Sequence, residues 1–313
     1  MAKFRILSLD GGGIRGVLTA VLLDRLQQQY PKLLNEQSDK VTLFAGTSTG
    51  GILSMGLAEG LSPPQIRDLY VVNGKSIFDS TWLRDIVDIG GLAGAKYDNG
   101  NLKHVLQQIF TGKRLDDLKR RVLIASFQLD NEASDPAKRS WKPKFFHNFP
   151  GPDSDGAALV VDVAMETSAA PTYFPSYNGY IDGGVIANNP SMAALAQALD
   201  SRNQPPYRAA LNDIVLLSVG TGISLQYIQG RDLDWGEAQW IKPILSLMMD
   251  GSVGVADFQC KQLLGPHYER LEPVFPLGTT IGYDEVDRIV DLLDLARSVD
   301  LTHTLAWLRQ CDW

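Results

Sequence analysis

The chain has 313 residues, 44% hydrophobic and 21% charged, with a formal net charge of −7. A chain of that size and balance buries a core of its own and is neither fibrous nor disordered. The acidic excess argues against nucleic acid as a partner, since a phosphate backbone needs a clustered basic face and Lys119-Arg120-Arg121 is too short a run to make one.

Phe4 to Leu9 reads as a first strand, followed by Asp10-Gly11-Gly12-Gly13-Ile14-Arg15-Gly16. A helix from about Val17 to Tyr30 follows, with Leu18, Leu22 and Leu26 on one face and Pro31 ending it. Val41 to Thr47 is a short apolar run suited to a buried strand. Ser48 sits on the corner after it, and Gly50-Gly51 leads into a second helix carrying Ile52, Leu53, Leu57 and Ala58 that Gly60 can stop. Strand, helix, strand and helix within sixty residues predict an α/β layered domain. Pro63 and Pro64 begin a helix reaching about Val72. Asn73 to Gly100 is glycine-rich and irregular, a candidate mobile loop.

Leu102 to Phe110 is helical by pattern and Val122 to Leu129 is a strand. Asp130 to Asp155 reads as a long polar excursion. A helix from Val160 must break by Pro171. Tyr180-Ile181 is a short strand ending in Asp182-Gly183-Gly184. Ser191 to Leu199 is a helix, Ile214 to Val219 an apolar strand, and the remainder mostly helical with a strand possible at Tyr268 to Val274. There is no repeat, low-complexity tract or linker, so one domain over 1–313 is expected, its motifs within about 5–222 and a mostly helical part over about 223–313. Cys260 and Cys311 have no zinc-site spacing, and no EF-hand loop, H-E-x-x-H or acidic ligand cluster is present. No signal segment and no run of ~20 apolar residues is seen, so a reduced, cytoplasmic chain without metal or cofactor is the expectation.

Gly46-Thr47-Ser48-Thr49-Gly50 has the G-x-S-x-G pattern of a nucleophile elbow, and the strand before it and helix after it supply the context that pattern requires. A hydroxyl needs a base to become a nucleophile. None of the four histidines, His104, His147, His267 and His303, ends a strand in a loop of small residues; His147 is the reserve candidate. Asp182 is stronger, because it ends a strand and two glycines after it permit close approach. A carboxylate in that role needs partial desolvation to become basic enough. The loop Gly11-Gly12-Gly13 has two readings. Its G-x-G-x-x-G spacing fits a dinucleotide fingerprint, but Asp10 would face a pyrophosphate and no acidic residue ends the second strand to hold a ribose. The other reading is an oxyanion hole.

Asp10 to Gly16, Gly46 to Gly50 and Asp182-Gly183-Gly184, in that order and with those intervals, resemble the patatin-like phospholipase family. Thr167 to Pro175 and Ser218 to Gly222 are similar to that family as well. The resemblance spans residues 5 to about 222. It implies a three-layer α/β/α fold with a mostly parallel central sheet. It also implies a Ser48–Asp182 dyad without histidine, an oxyanion hole at Gly11 to Gly13 with Arg15, and metal-free hydrolysis of phospholipid or lysophospholipid acyl esters. The motif glycines are then Gly46, Gly50, Gly183 and Gly184. A carboxylesterase or acyltransferase, and a nucleotide- or effector-binding module built on the glycine loop, are the alternatives. Trp240, Ile244, Leu247 and Met248 recur at helical spacing beside Lys242. Such a stripe packs into a core or makes transient contact with a membrane surface, and the core is the expectation.

Overall fold

The computed structural model describes residues 3–34, 41–78, 95–240 and 243–313. Its strands are β1 (Phe4–Leu9), β2 (Leu43–Thr47), β3 (Arg121–Gln128), β4 (Lys142–His147), β5 (Tyr180–Asp182), β6 (Ile214–Val219) and β7 (Tyr268–Leu271). They form one sheet in the order β4-β3-β2-β1-β6-β7, with β5 also on β3. β3, β2, β1, β6 and β7 run parallel, whereas β4 and β5 are antiparallel to β3.

Parallel strands covered on both faces need apolar residues at every position, which is why the central strands read as unbroken apolar runs. Alternate residues feed opposite faces. Leu7, Leu9, Phe44, Val122, Ile124, Val215 and Leu217 belong to one core, and Phe4, Ile6, Leu43, Ala45, Leu123, Ile214 and Leu216 to the other. The first face is covered by α1 (Gly16–Gln29), α2 (Thr49–Glu59), α3 (Pro63–Ile77), α4 (Gly100–Ile109), α5 (Val160–Ser168) and α10 (Ile289–Ser298). On the second lie α7 (Ser191–Ala198) and α9 (Ile244–Leu264), while α6 (Gly184–Ala187), α8 (Glu237–Trp240) and α11 (Thr302–Gln310) complete the helices. The result is the expected three-layer α/β/α arrangement.

Local chemistry explains the element ends. Gly60 takes φ 103° to stop α2. Ser62 opens α3 with a capping box to Gln65 and proline in the first turn. That helix runs five residues past the expected Val72, to Ile77, and most of the glycine-rich stretch after it lies outside the described residues. The polar excursion after β3 contains a strand the sequence hid: β4 reads KPKFFH and lies at the sheet edge, where Pro143 costs no ladder bond. The C-terminal part supplies β7, hydrogen-bonded along β6, and places Trp307 and Trp313 in the first core.

The sheet register sets up the site. β2 pairs with β3 as far as Thr47 opposite Ala125. β5 then enters alongside β3 from the opposite direction, with Asp182 opposite Ser126. Two segments far apart in sequence thus end at the same point, where Ser48 leaves β2.

Candidate active site

Ser48 stands at φ 54° and ψ −124°, a conformation that side-chain-bearing residues avoid. Its neighbours hold it there. The Ser48 N–H donates to Thr167 Oγ1 at 2.8 Å, and that hydroxyl donates to the Ala125 carbonyl at 2.5 Å. The turn is so tight that a Cβ on Gly46 would overlap the Gly50 carbonyl, and one on Gly50 the Leu9 carbonyl. α2 starts at Thr49, so the positive end of its dipole lies beneath the serine.

Asp182 is 2% exposed, its Oδ1 accepts from the Gly184 N–H at 2.7 Å, and the Ser48 hydroxyl lies close enough to favour its charged form. Burial raises its pKa to about 6, with these two donors working against the shift. A carboxylate raised this far is a better base than one in water and remains ionised at neutral pH. Gly183 precedes the short α6 and packs its backbone against Ala125 and Ser126.

The glycine loop closes one side of the serine. Gly11 is already engaged, its N–H donating to the Asn188 carbonyl at 3.0 Å. Ile14 N–H donates to the Tyr283 carbonyl at 2.8 Å and Arg15 N–H to that of Gly12 at 3.1 Å. Gly12 and Gly13 line the cleft beside Ser48, and among the described residues no acceptor engages their N–H groups. Arg15 does not line this cleft. Its guanidinium lies 4.4 Å from the Tyr283 ring centroid and 5.3 Å from that of Phe275, and donates to the Gly222 carbonyl at 3.2 Å. Asp10 is not a free charge facing the loop either: Arg270 holds both its oxygens, at 3.0 and 2.5 Å.

Above Ser48 and Asp182 opens a cleft with a cavity volume of about 70 Å³. Ile52, Tyr70, Ile77, Leu102, Phe78 and Phe174 line it. Phe78, Tyr97 and Phe174 form an aromatic cluster with centroids 5.5–5.8 Å apart. Such a wall favours a hydrocarbon chain and offers a pyrophosphate nothing.

His147 lies opposite Leu123 on β4, two strands from Ser48 and upstream of the strand ends that carry the site. None of the four histidines lines the cleft. Cys260 and Cys311 are both buried free thiols. The stripe on α8 and α9 is not core: Trp240 is 37% exposed, Ile244 44%, Leu247 43% and Met248 47%. Helical spacing does not reveal which face a helix turns inward, and here α9 buries Met249, Ala256, Cys260 and Leu264 instead. Lys242 lies outside the described residues. Asn188 and Arg270 were not singled out from the sequence, and Thr167 and Thr221 only as members of the two family-like runs Thr167 to Pro175 and Ser218 to Gly222. Thr221 Oγ1 donates to the Gly11 carbonyl at 2.9 Å and Arg270 pairs with Asp10. For the threonines and Arg270 the signal was a polar or charged residue inside an otherwise buried run; Asn188 offered none.

A serine on a strand-to-helix corner, a buried carboxylate beside it and an apolar cleft suit a lipid acyl hydrolase. Residues 7–195 match the sequence model of the patatin-like phospholipase family, and the chain belongs to that family. Among similar proteins, one named cGAMP-activated phospholipase from Pseudomonas aeruginosa is 30% identical over 307 residues, covering 96% of this chain and 85% of its own. Protein teg of Priestia megaterium is 30% identical over 88% of this chain and 89% of its own. Patatin-like protein 2 of Oryza sativa subsp. indica is 29% identical over 80% of this chain and 71% of its own. Among the described residues, no helix is long and apolar enough to cross a membrane, and no cluster of three or more His, Cys, Asp or Glu could hold a metal ion.

Proposed function

We propose that Ser48 and Asp182 are the catalytic dyad of this lipid acyl hydrolase, with phospholipid or lysophospholipid as substrate. The observation that carries the reading is the buried Asp182 carboxylate beside Ser48 at the floor of an apolar cleft. Ser48 Oγ attacks the acyl carbonyl carbon while its proton passes to Asp182. The oxyanion that forms is met by the Gly12 and Gly13 N–H groups, the two loop donors without an acceptor among the described residues. Collapse breaks the ester C–O bond, and Asp182 returns the proton to the departing alcohol. Water, deprotonated by Asp182, then attacks the acyl carbon; the bond from that carbon to Ser48 Oγ breaks, Asp182 returns the proton to Ser48, and the fatty acid leaves. Arg15 and the Gly11 carbonyl hold the loop in place rather than contact the acyl group. Gly46, Gly50, Gly183 and Gly184 shape the two turns.

Contact with a lipid surface follows from the exposed Ile244, Leu247 and Met248, because the same helix turns Leu245 and Met249 into the cleft. The pairing of β7 with β6 supports residues 1–313 as one domain. The test is lipid profiling on mixed phospholipid vesicles with wild type, Ser48→Ala and Asp182→Asn. The reading expects free fatty acid and lysophospholipid or glycerophosphoester from wild type alone. Acyl transfer to an added alcohol without fatty acid release would favour the acyltransferase. Hydrolysis of soluble esters with no lipid products would favour the carboxylesterase.

A further inference from the structure

Three strand ends meet behind the oxyanion loop, and a single side chain ties them together. Arg270 on β7 reaches back to Asp10 at the end of β1, holding Oδ1 with Nη1 at 3.0 Å and Oδ2 with Nη2 at 2.5 Å. Nη1 also donates to Ser218 Oγ of β6 at 2.7 Å. Nη2 also donates to Glu272, and Glu272 Oε1 accepts the Gly222 N–H at 2.9 Å. The arginine side chain is 8% exposed and that of Asp10 2%.

This cluster grips both segments that frame Gly12. On the β1 side, Asp10 is the residue before Gly11. On the β6 side, Glu272 fixes Gly222, whose carbonyl is held by Arg15, while Thr221 between them donates to the Gly11 carbonyl at 2.9 Å. Thr221 also packs so closely on Gly12 that a Cβ there would overlap its side chain. Thr19 Oγ1 donates to the Gly220 carbonyl at 2.9 Å, closing the ring of contacts. Nothing in the cluster lines the cleft, so its effect on the reaction passes through the loop. A buried ion network adds little net stability over apolar packing, but it fixes one geometry, because any displacement leaves a charge unpaired. A guanidinium suits this use, as its planar fork serves several acceptors in set directions.

We propose that Arg270 and Glu272 are positioning residues for the hydrolase reaction, setting the Gly12 and Gly13 N–H groups against the oxyanion from a strand beyond the matched family region. The proposal rests on the oxyanion role given to those two groups. It assigns the C-terminal part a share in catalysis, not merely in completing the sheet.

The test compares wild type, Arg270→Lys and Glu272→Gln on a soluble short-chain nitrophenyl ester, with rates normalised to folded protein. It is run at pH 8.5, because burial raises the pKa of the Glu272 carboxyl and an alkaline medium favours its ionised form. Lysine keeps the charge but carries three donors on one atom, too few for the four bonds that the guanidinium makes to Asp10, Ser218 and Glu272. Arg270→Lys should lower kcat about 100-fold with KM within about twofold, since a shift of about 1 Å at a reacting centre costs that much. Glu272→Gln should lower kcat about tenfold, again with KM unchanged. A purely structural role would lower the melting temperature and leave kcat per folded molecule intact, and that result overturns the proposal. Should Arg270→Lys fail to fold, the isosteric Glu272→Gln decides, and unchanged kcat there overturns it as well. Ser48→Ala is run in parallel. If it retains activity, the dyad reading fails; if it is inactive while both clamp variants keep full turnover, only the clamp fails.

Discussion

Asp182 carries opposing consequences for activity and stability. Its carboxyl is buried and titrates at about 6, against 3.8 for the ordinary group. A raised acid pKa means that the folded state binds a proton more readily than the unfolded one, so stability falls as pH rises from 3.8 through 6. Above that window the charged carboxylate costs the fold on the order of 3 kcal/mol, at about 1.4 kcal/mol per unit. Asp182→Asn keeps the shape and removes the charge. It should abolish turnover yet raise the melting temperature by several degrees at pH 8, with the gain shrinking as pH falls from 7 towards 4; calorimetry across that range checks it. A lower melting temperature at pH 8 would mean that the carboxylate is a net stabiliser. At Gly12 the backbone is extended, with φ 172°, so conformation alone does not demand glycine. Contact does, because a methyl group would displace Thr221. Gly12→Ala should therefore lower kcat by about 10²–10³ with KM within a few-fold. Steady-state kinetics showing the loss mainly in KM would place Gly12 in substrate binding instead.

At the scale of elements, the sequence was most legible where one signal sufficed. The elbow could be read because Gly46, Ser48 and Gly50 lie within five residues between a buried strand and a helix, and the glycine loop because it follows β1 directly. β4 escaped because an edge strand tolerates lysine and proline, so its apolar signal shrinks to Phe145-Phe146. The clamp escaped because Arg270 is adjacent to Asp10 only after β7 joins the sheet two strands from β1. The exposed face of α9 escaped for the reason given above: periodicity marks a stripe but not its direction. That face carries its own prediction. Leu247→Ser with Met248→Ser should reduce hydrolysis of zwitterionic vesicles by about tenfold or more, leaving a short soluble ester and the melting temperature nearly unchanged. Equal loss on both substrates would mean that the face supports the cleft rather than meets lipid.

On the scale of the whole molecule, the sheet gathers the chemistry. β1, β2 and β6 deliver the glycine loop, Ser48 and Thr221 at their carboxyl ends, as parallel α/β sheets do, and antiparallel β5 brings Asp182 to the same point opposite Ser126. His147 lies on an edge strand away from that point, and burial pushes its pKa down. His147→Ala should therefore retain most of the activity; a collapse in a folded variant would restore a histidine base. The central claim is that Ser48 is the nucleophile and Asp182 its base. The most direct measurement is fluorophosphonate labelling of the full chain, with the modified residue located by peptide mass and the rate compared in Asp182→Asn. The account predicts one adduct, on Ser48, forming at least about 10³-fold more slowly in Asp182→Asn. An adduct on any other residue, or an Asp182→Asn rate equal to wild type, would contradict it.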